Sequence, residues 1–205
     1  MIVVLGRPGL TADDRLDRTA GLIAIAAASA GGRVELVGSV GDDPDGDTVV
    51  VELGRAGIGH AALLRDPAGA TPRASATADT DGARDTDDRG ERLPRLEAAD
   101  VELGLAYLAE CQVLVAAEAL PADVLRIVSD AAAYHRAALI VLAARGQPPD
   151  HGLPESATVL EVPTHDGGAF AQLVGRYAAL LDAGRQPADA WSDAVSEGGW
   201  EPAGE

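Results

Sequence analysis

The chain contains no lysine, a single cysteine and few aromatic residues, which make up 3 % of its 205 positions. One cysteine excludes an intrachain disulfide framework, and a reducing, cytoplasmic setting is the expectation. The shortage of aromatic rings leaves the interior to Ala, Val, Leu and Ile, which pack as layers of strands and helices. Positive charge is also short: arginine supplies all of it against 33 acidic residues, for a formal net charge of −17. Such a field repels duplex nucleic acid and anionic membrane surfaces, so neither is an expected partner. Long apolar runs are missing as well. The longest stretch of low polarity, Ala20 to Gly32, is too short to span a bilayer, and no basic segment precedes an apolar one as a signal peptide would require.

What is present suits a folded core. Hydrophobic residues make up 47 % of the chain, and a chain of this length buries roughly 70 % of its unfolded surface. MIVVLG is a buried-strand pattern stopped by Gly6, and the segment from there to about Arg18 is polar and turn-rich. Thr19 to Ala30 is apolar on nearly every face, as in a helix packed inside a layered domain, and Gly31 and Gly32 end it. Arg33 to Val37 is a second strand. The turn Gly38-Ser39-Val40-Gly41-Asp42-Asp43-Pro44 then leads into a helix that Asp43 can cap and Pro44 can start. Val49, Val50, Leu53 and Ala56 recur at helical spacing, with Gly57 as the stop. The order βαβα indicates a parallel sheet with helices on its faces.

From about Asp66 to Leu96 the composition shifts to small and acidic residues, and Asp79-Thr80-Asp81-Gly82 predicts a hairpin turn, hence a two-stranded lid. Alternation then resumes: helix 100–110, strand 112–116, helix 122–136, strand 138–142, a Gly/Pro loop, strand 157–162, and helices 168–183 and 188–196. This gives one α/β domain over 1–196 with a lid insertion at 66–97, and a disordered tail over 197–205.

Three clusters invite sharper readings. Asp79, Asp81, Asp85, Asp87 and Asp88 suggest calcium, but a loop begun at Asp85 has Arg89 and Leu96 where ligands belong, so a solvated hairpin is expected. His135, His151 and His165 with Asp150 and Asp166 lack the i, i+4 spacing of a helical zinc site, and no metal is expected. Cys111 reads as a small buried hydrophobe with no basic neighbour to activate its thiol.

The stretch GGRVELVGSVGDDPDGDTVVVELGRAGI resembles the ribokinase/PfkB carbohydrate-kinase family, whose Gly-x-x-Gly-x-Asp-x-x-Gly turn is matched by Gly38, Gly41, Asp43 and Gly46, with Gly31 at the preceding helix end. GATPRASATADTDGAR is similar to the family's lid strands, and AECQVLVAAEALPADVLRIVSDAAAYHRAALIVLAAR to the strand, helix and strand that follow. The resemblance is continuous over roughly the first 165 residues, in a chain shorter than the usual family member. It implies a three-layer α/β/α sandwich of ribokinase type, with a mostly parallel sheet, a small β lid, a sugar or nucleoside site in the N-terminal half and an ATP site in the C-terminal half.

Position by position, the family's functional residues are mostly replaced. Asp17 and Arg18 stand at the two glycines of the sugar motif and Leu22 at its Asn, while Thr11 aligns with the early sugar-binding Asp. Asp13 and Asp14 are close enough to substitute for it. Gly38, Gly41 and Asp43 either touch a substrate or serve the turn and cap alone, since both jobs require the same residue types. After strand 138–142 the chain has Ala143-Ala144-Arg145 in place of Asp or Asn with Pro, and Pro163-Thr164-His165-Asp166 in place of Asn with Glu.

THDGGAF, aligned on Phe170 with the family's anion hole Gly-Ala-Gly-Asp-x-Phe, leaves Asp166, Gly167 and Gly168 as its remnant, with Gly168 where the catalytic base should be. A second alignment places FAQLVG on a segment before the nucleotide half. Both leave no catalytic Asp.

The resulting expectation is a kinase homologue without phosphotransfer, needing no cofactor, that binds a small sugar-like ligand and forms a homodimer through the lid. The alternative is an active ATP- and Mg²⁺-dependent sugar or nucleoside kinase that uses Asp13, Asp14 or Asp166 as base.

Overall fold

Four consecutive buried residues, Ile2–Leu5 (β1), form the centre of a six-stranded sheet in the computed structural model, which describes residues 1–74, 90–108, 110–146, 152–163 and 167–198. β1 is followed by two short strands, Gly9–Leu10 (β2) and Leu16–Asp17 (β3), that pair antiparallel as a separate small sheet. Helix α1 (Arg18–Ser29), strand β4 (Val34–Gly41), helix α2 (Pro44–Arg55) and strand β5 (Gly59–Asp66) complete the first half. The second half consists of α3 (Ala98–Ala106), β6 (Val113–Ala116), α4 (Ala122–His135), β7 (Ala138–Ala143), β8 (Thr158–Glu161), α5 (Gly167–Asp182) and α6 (Pro187–Gly198).

The main sheet runs β5-β4-β1-β6-β7-β8, and every pairing in it is parallel. Alternate residues of each strand feed two apolar layers. Ile2, Val4, Leu36, Val115 and Ile140 face α1, α2, α5 and α6, whereas Val3, Leu5, Val37, Leu114 and Val141 face α3 and α4. The three-layer α/β/α architecture expected from sequence is therefore present. The sole Phe, Phe170, lies in the first layer at 5 % exposure, and Tyr177 meets Trp191 edge to face where α5 packs on α6.

Helix and strand positions follow the sequence reading closely, with four differences. β4 runs on to Gly41, so Gly38 to Gly41, read as the opening of a turn, are strand residues paired with β5. β5 is not anticipated by the sequence reading: its apolar run Ala61–Leu64 is short and lacks β-branched residues, and the strand is only partly buried. The polar segment after β1 contains β2 and β3, held by buried Leu10 and Leu16. Helix α6 runs to Gly198, two residues into the segment read as a tail.

The predicted hairpin at 79–82 and the acidic run through Asp88 lie outside the described residues. The lid's two stems are described. Asp66 binds them together: its carboxylate accepts from the Arg95 and Ala68 N–H groups at 2.8 and 2.9 Å, and Ala70 N–H donates to Arg92 O at 2.8 Å. The outgoing stem joins the small sheet, since Leu10 N–H donates to Pro72 O and Ala74 N–H donates to Leu10 O.

Candidate functional site

In an open parallel sheet, ligands bind at the carboxyl ends of the strands where the strand order reverses. Here the chain winds from β1 outward through β4 and β5, then returns to the other side of β1 for β6. The reversal therefore lies between β1 and β6, and the residues just beyond their carboxyl ends include Arg7 and Glu118. Sequence reasoning missed both. Each is a lone charged residue after a buried strand, and only the pairing of β1 with β6 brings them together.

Arg7 and Glu118 bridge this crevice. The Arg7 Nε lies 3.0 and 3.1 Å from the two Glu118 carboxylate oxygens, its NH2 donates at 2.9 Å, and its backbone N–H donates at 3.0 Å. Both side chains are mostly buried, at 18 % and 17 % exposure. The fork geometry is the strong, bidentate form of an Arg–carboxylate pair. Its remaining NH1 reaches Pro94 O on the returning lid stem at 3.5 Å.

Gly38, Gly41 and Asp43 lie at the carboxyl end of β4 and the start of α2. A side chain at Gly38 would collide with the Gly6 carbonyl, so this glycine lets β4 lie close to β1. Asp43 caps α2 by accepting from Gly46 N–H at 2.7 Å. The same carboxylate accepts from the Thr71 N–H and hydroxyl at 2.8 and 2.7 Å, and the Thr71 oxygen accepts from Gly41 N–H at 2.9 Å. The turn, the cap and the lid stem are thus one hydrogen-bonded unit, and the space beside Gly41 is filled by Asp43, Gly69 and Thr71.

Asp13 and Asp14 are on the loop between β2 and β3. Asp14 is held at φ 58° and pairs with Arg73 at 2.8 Å. Asp13 and Asp14 both line a wide, open surface groove with Arg15, Asp47, Val51 and Arg55. At the positions that align with the family's paired glycines, Asp17 caps α1 without a side-chain bond, and Arg18 keeps a left-handed φ of 60°. This is a conformation that glycine adopts more readily than arginine.

Asp166 lies outside the described residues. Gly167 and Gly168 open α5, and among the described residues beyond its own helix backbone and chain neighbours none comes within 4 Å of where a side chain at Gly168 would start. His151, His165 and Asp150 also lie outside the described residues. Among those that are described, no group of three or more His, Cys, Asp or Glu is gathered to hold a metal. Cys111 is 5 % exposed, and burial pushes its thiol pKa up to about 11. Among the described residues no helix is long and apolar enough to cross a membrane.

No family model matches the chain, and no curated protein matches it in sequence. Solved structures do match. A putative ribokinase II from E. coli, in complex with ATP and Mg²⁺, superposes with a TM-score of 0.69 at 14 % identity, covering 96 % of this chain and 91 % of that one. Ribokinase from Giardia lamblia gives 0.62 at 15 % identity over 96 % and 88 % of the two chains. Arabidopsis thaliana ribokinase complexed with ribose and ATP gives 0.62 at 11 % identity over 96 % and 90 %. At these identities the likeness is one of fold, and the fold is ribokinase-like.

Proposed function

We propose that this protein is a carbohydrate-kinase homologue of ribokinase type that does not transfer phosphate and acts as a binding or regulatory module for a small, sugar-like ligand. The observation that carries the reading is Gly168 in the first turn of α5, where the position aligned with the family's catalytic base has no side chain. Phosphoryl transfer to a hydroxyl uses a positioned acceptor for the hydroxyl proton, and loss of a general base costs typically 10²–10⁴-fold in rate. The switch-point crevice supports the same reading, because Arg7 and Glu118 spend their strongest hydrogen bonds on each other.

The setting is taken as cytoplasmic. Self-association through the 66–97 excursion belongs to the same reading, and a monomer mass in light scattering at micromolar concentration would overturn that part of it.

The direct test is ADP formation from ATP and Mg²⁺ across a panel of pentoses, hexoses and nucleosides. No acceptor-dependent ADP above the no-enzyme rate is expected. One observation favours the active alternative: Asp13 lines an open surface groove beside the β2–β3 loop. Acceptor-dependent turnover that vanishes in Asp13→Asn would establish that alternative and overturn the proposal.

A further inference from the structure

Ser39 lies near the carboxyl end of β4, opposite Leu64 of β5. Two residues on from Val37, it shares that residue's face of the sheet, the one covered by α3 and α4. The residue is 3 % exposed, and among the described residues its hydroxyl is the single buried side-chain nitrogen or oxygen without a hydrogen-bond partner. A buried hydroxyl left unmet is costly, so such a group calls for a partner.

Beside Ser39 a cavity lies between β4, the start of α3 and the returning lid stem. Its walls are apolar at Val37, Leu96 and Val101 and polar at Ser39, Arg95 and Asp100. It offers about 10 Å³ to the centre of a water molecule, which is about the space that one water requires. A serine side chain settles in one of three staggered positions, so Oγ can turn into this space. Asp100 is half-buried in the first turn of α3, and its carboxylate forms no hydrogen bond or ion pair among the described residues. Arg95 is fixed beside it by Asp66 and Glu97, at 3.3 and 3.1 Å.

The chemistry of the walls selects the occupant. A carboxylate only accepts, a hydroxyl donates or accepts, and a water can accept from the second while donating to the first. No group of three His, Cys, Asp or Glu is gathered here for a metal among the described residues. Helix α3 also starts without a side-chain cap, since Glu97 makes no capping bond.

We propose that this cavity is a binding site for one ordered water, which accepts from the Ser39 hydroxyl, donates to the Asp100 carboxylate and so fastens the first turn of α3 to β4. The site is on the opposite face of the sheet from α5, and it does not depend on whether phosphate is transferred.

The test combines a crystal structure of the wild-type chain at atomic resolution with thermal unfolding of Ser39→Ala, Asp100→Ala and the double variant. A water within hydrogen-bond distance of both Ser39 Oγ and the Asp100 carboxylate is expected. Ser39→Ala is expected to melt about 3 °C lower than wild type, and the double variant to lose less than the sum of the two single losses, because both remove the same bridge. A Ser39→Ala variant that melts higher than wild type overturns the proposal, since removal of an unmet hydroxyl is stabilising. Strictly additive losses overturn the bridge, as does a Ser39 Oγ bonded directly to a protein group. Where a variant does not fold, the wild-type crystal structure decides alone, and no water between the two side chains overturns the site.

Discussion

Asp43 and Thr71 are joined twice across 28 residues of sequence, once through the threonine amide at 2.8 Å and once through its hydroxyl at 2.7 Å. Thr71 is fully buried and passes the connection on to Gly41 N–H. A residue that caps one helix thereby also anchors the stem of the lid.

Asp43→Ala removes an N-cap and two charge-assisted bonds together, so a loss of about 3 kcal/mol is expected. Asp43→Asn keeps an acceptor for Gly46 and is expected to lose less. Urea denaturation of both variants checks this, and a loss equal to that of a simple exposed cap would show that the Thr71 link adds nothing.

Gly38→Ala places a methyl group against the Gly6 carbonyl oxygen, a backbone atom that cannot turn aside. Parting β1 from β4 is expected to cost about 3 kcal/mol or more. Poor recovery of soluble protein, or a melting temperature many degrees lower, is the expected outcome. A melting temperature equal to that of wild type would contradict the close approach.

Arg136 ends α4 in the left-handed conformation, at φ 55°, and its amide donates back to the last turn. Glycine adopts this conformation without steric penalty, so Arg136→Gly is expected to stabilise the protein by about 1 kcal/mol. Thermal unfolding monitored by far-ultraviolet circular dichroism would register the rise.

Asp66 ties the two lid stems. The Arg95 backbone N–H is the main cause that lowers its pKa below 3.8, with Ala68 N–H and the Arg95 side chain adding to it against the opposing effect of burial. A carboxylate whose folded pKa is depressed contributes stability above its unfolded value, and that contribution is lost as the pH falls through the folded value. The stability difference between wild type and Asp66→Asn is therefore expected to be constant near neutrality and to shrink as the pH drops below about 4. A difference that persists unchanged to pH 2 would exclude the ionised carboxylate as its source.

Sequence by itself determined the helices and the buried strands of the sheet. Runs such as Ile2–Leu5 and Val113–Ala116 are apolar and β-branched enough to be buried strands in any context, and Asp43-Pro44 marks the start of α2 through local chemistry alone. The same locality made Asp43 recognisable as a cap, whereas Gly38 and Gly41, read as a turn, are strand residues of β4. Sequence could not separate the two jobs open to them, because a turn and a ligand contact call for the same residues.

Tertiary structure decided what local chemistry leaves open elsewhere. It supplied β5, whose half-buried pattern becomes a strand only when β4 lies beside it. It paired Arg7 with Glu118 across 111 residues, and Arg73 with Asp45 across 28 residues. In the sequence these charges are indistinguishable from solvated ones. Their partners are set by the strand order and by the path of the lid stem, and a charge finds its partner through space rather than along the chain.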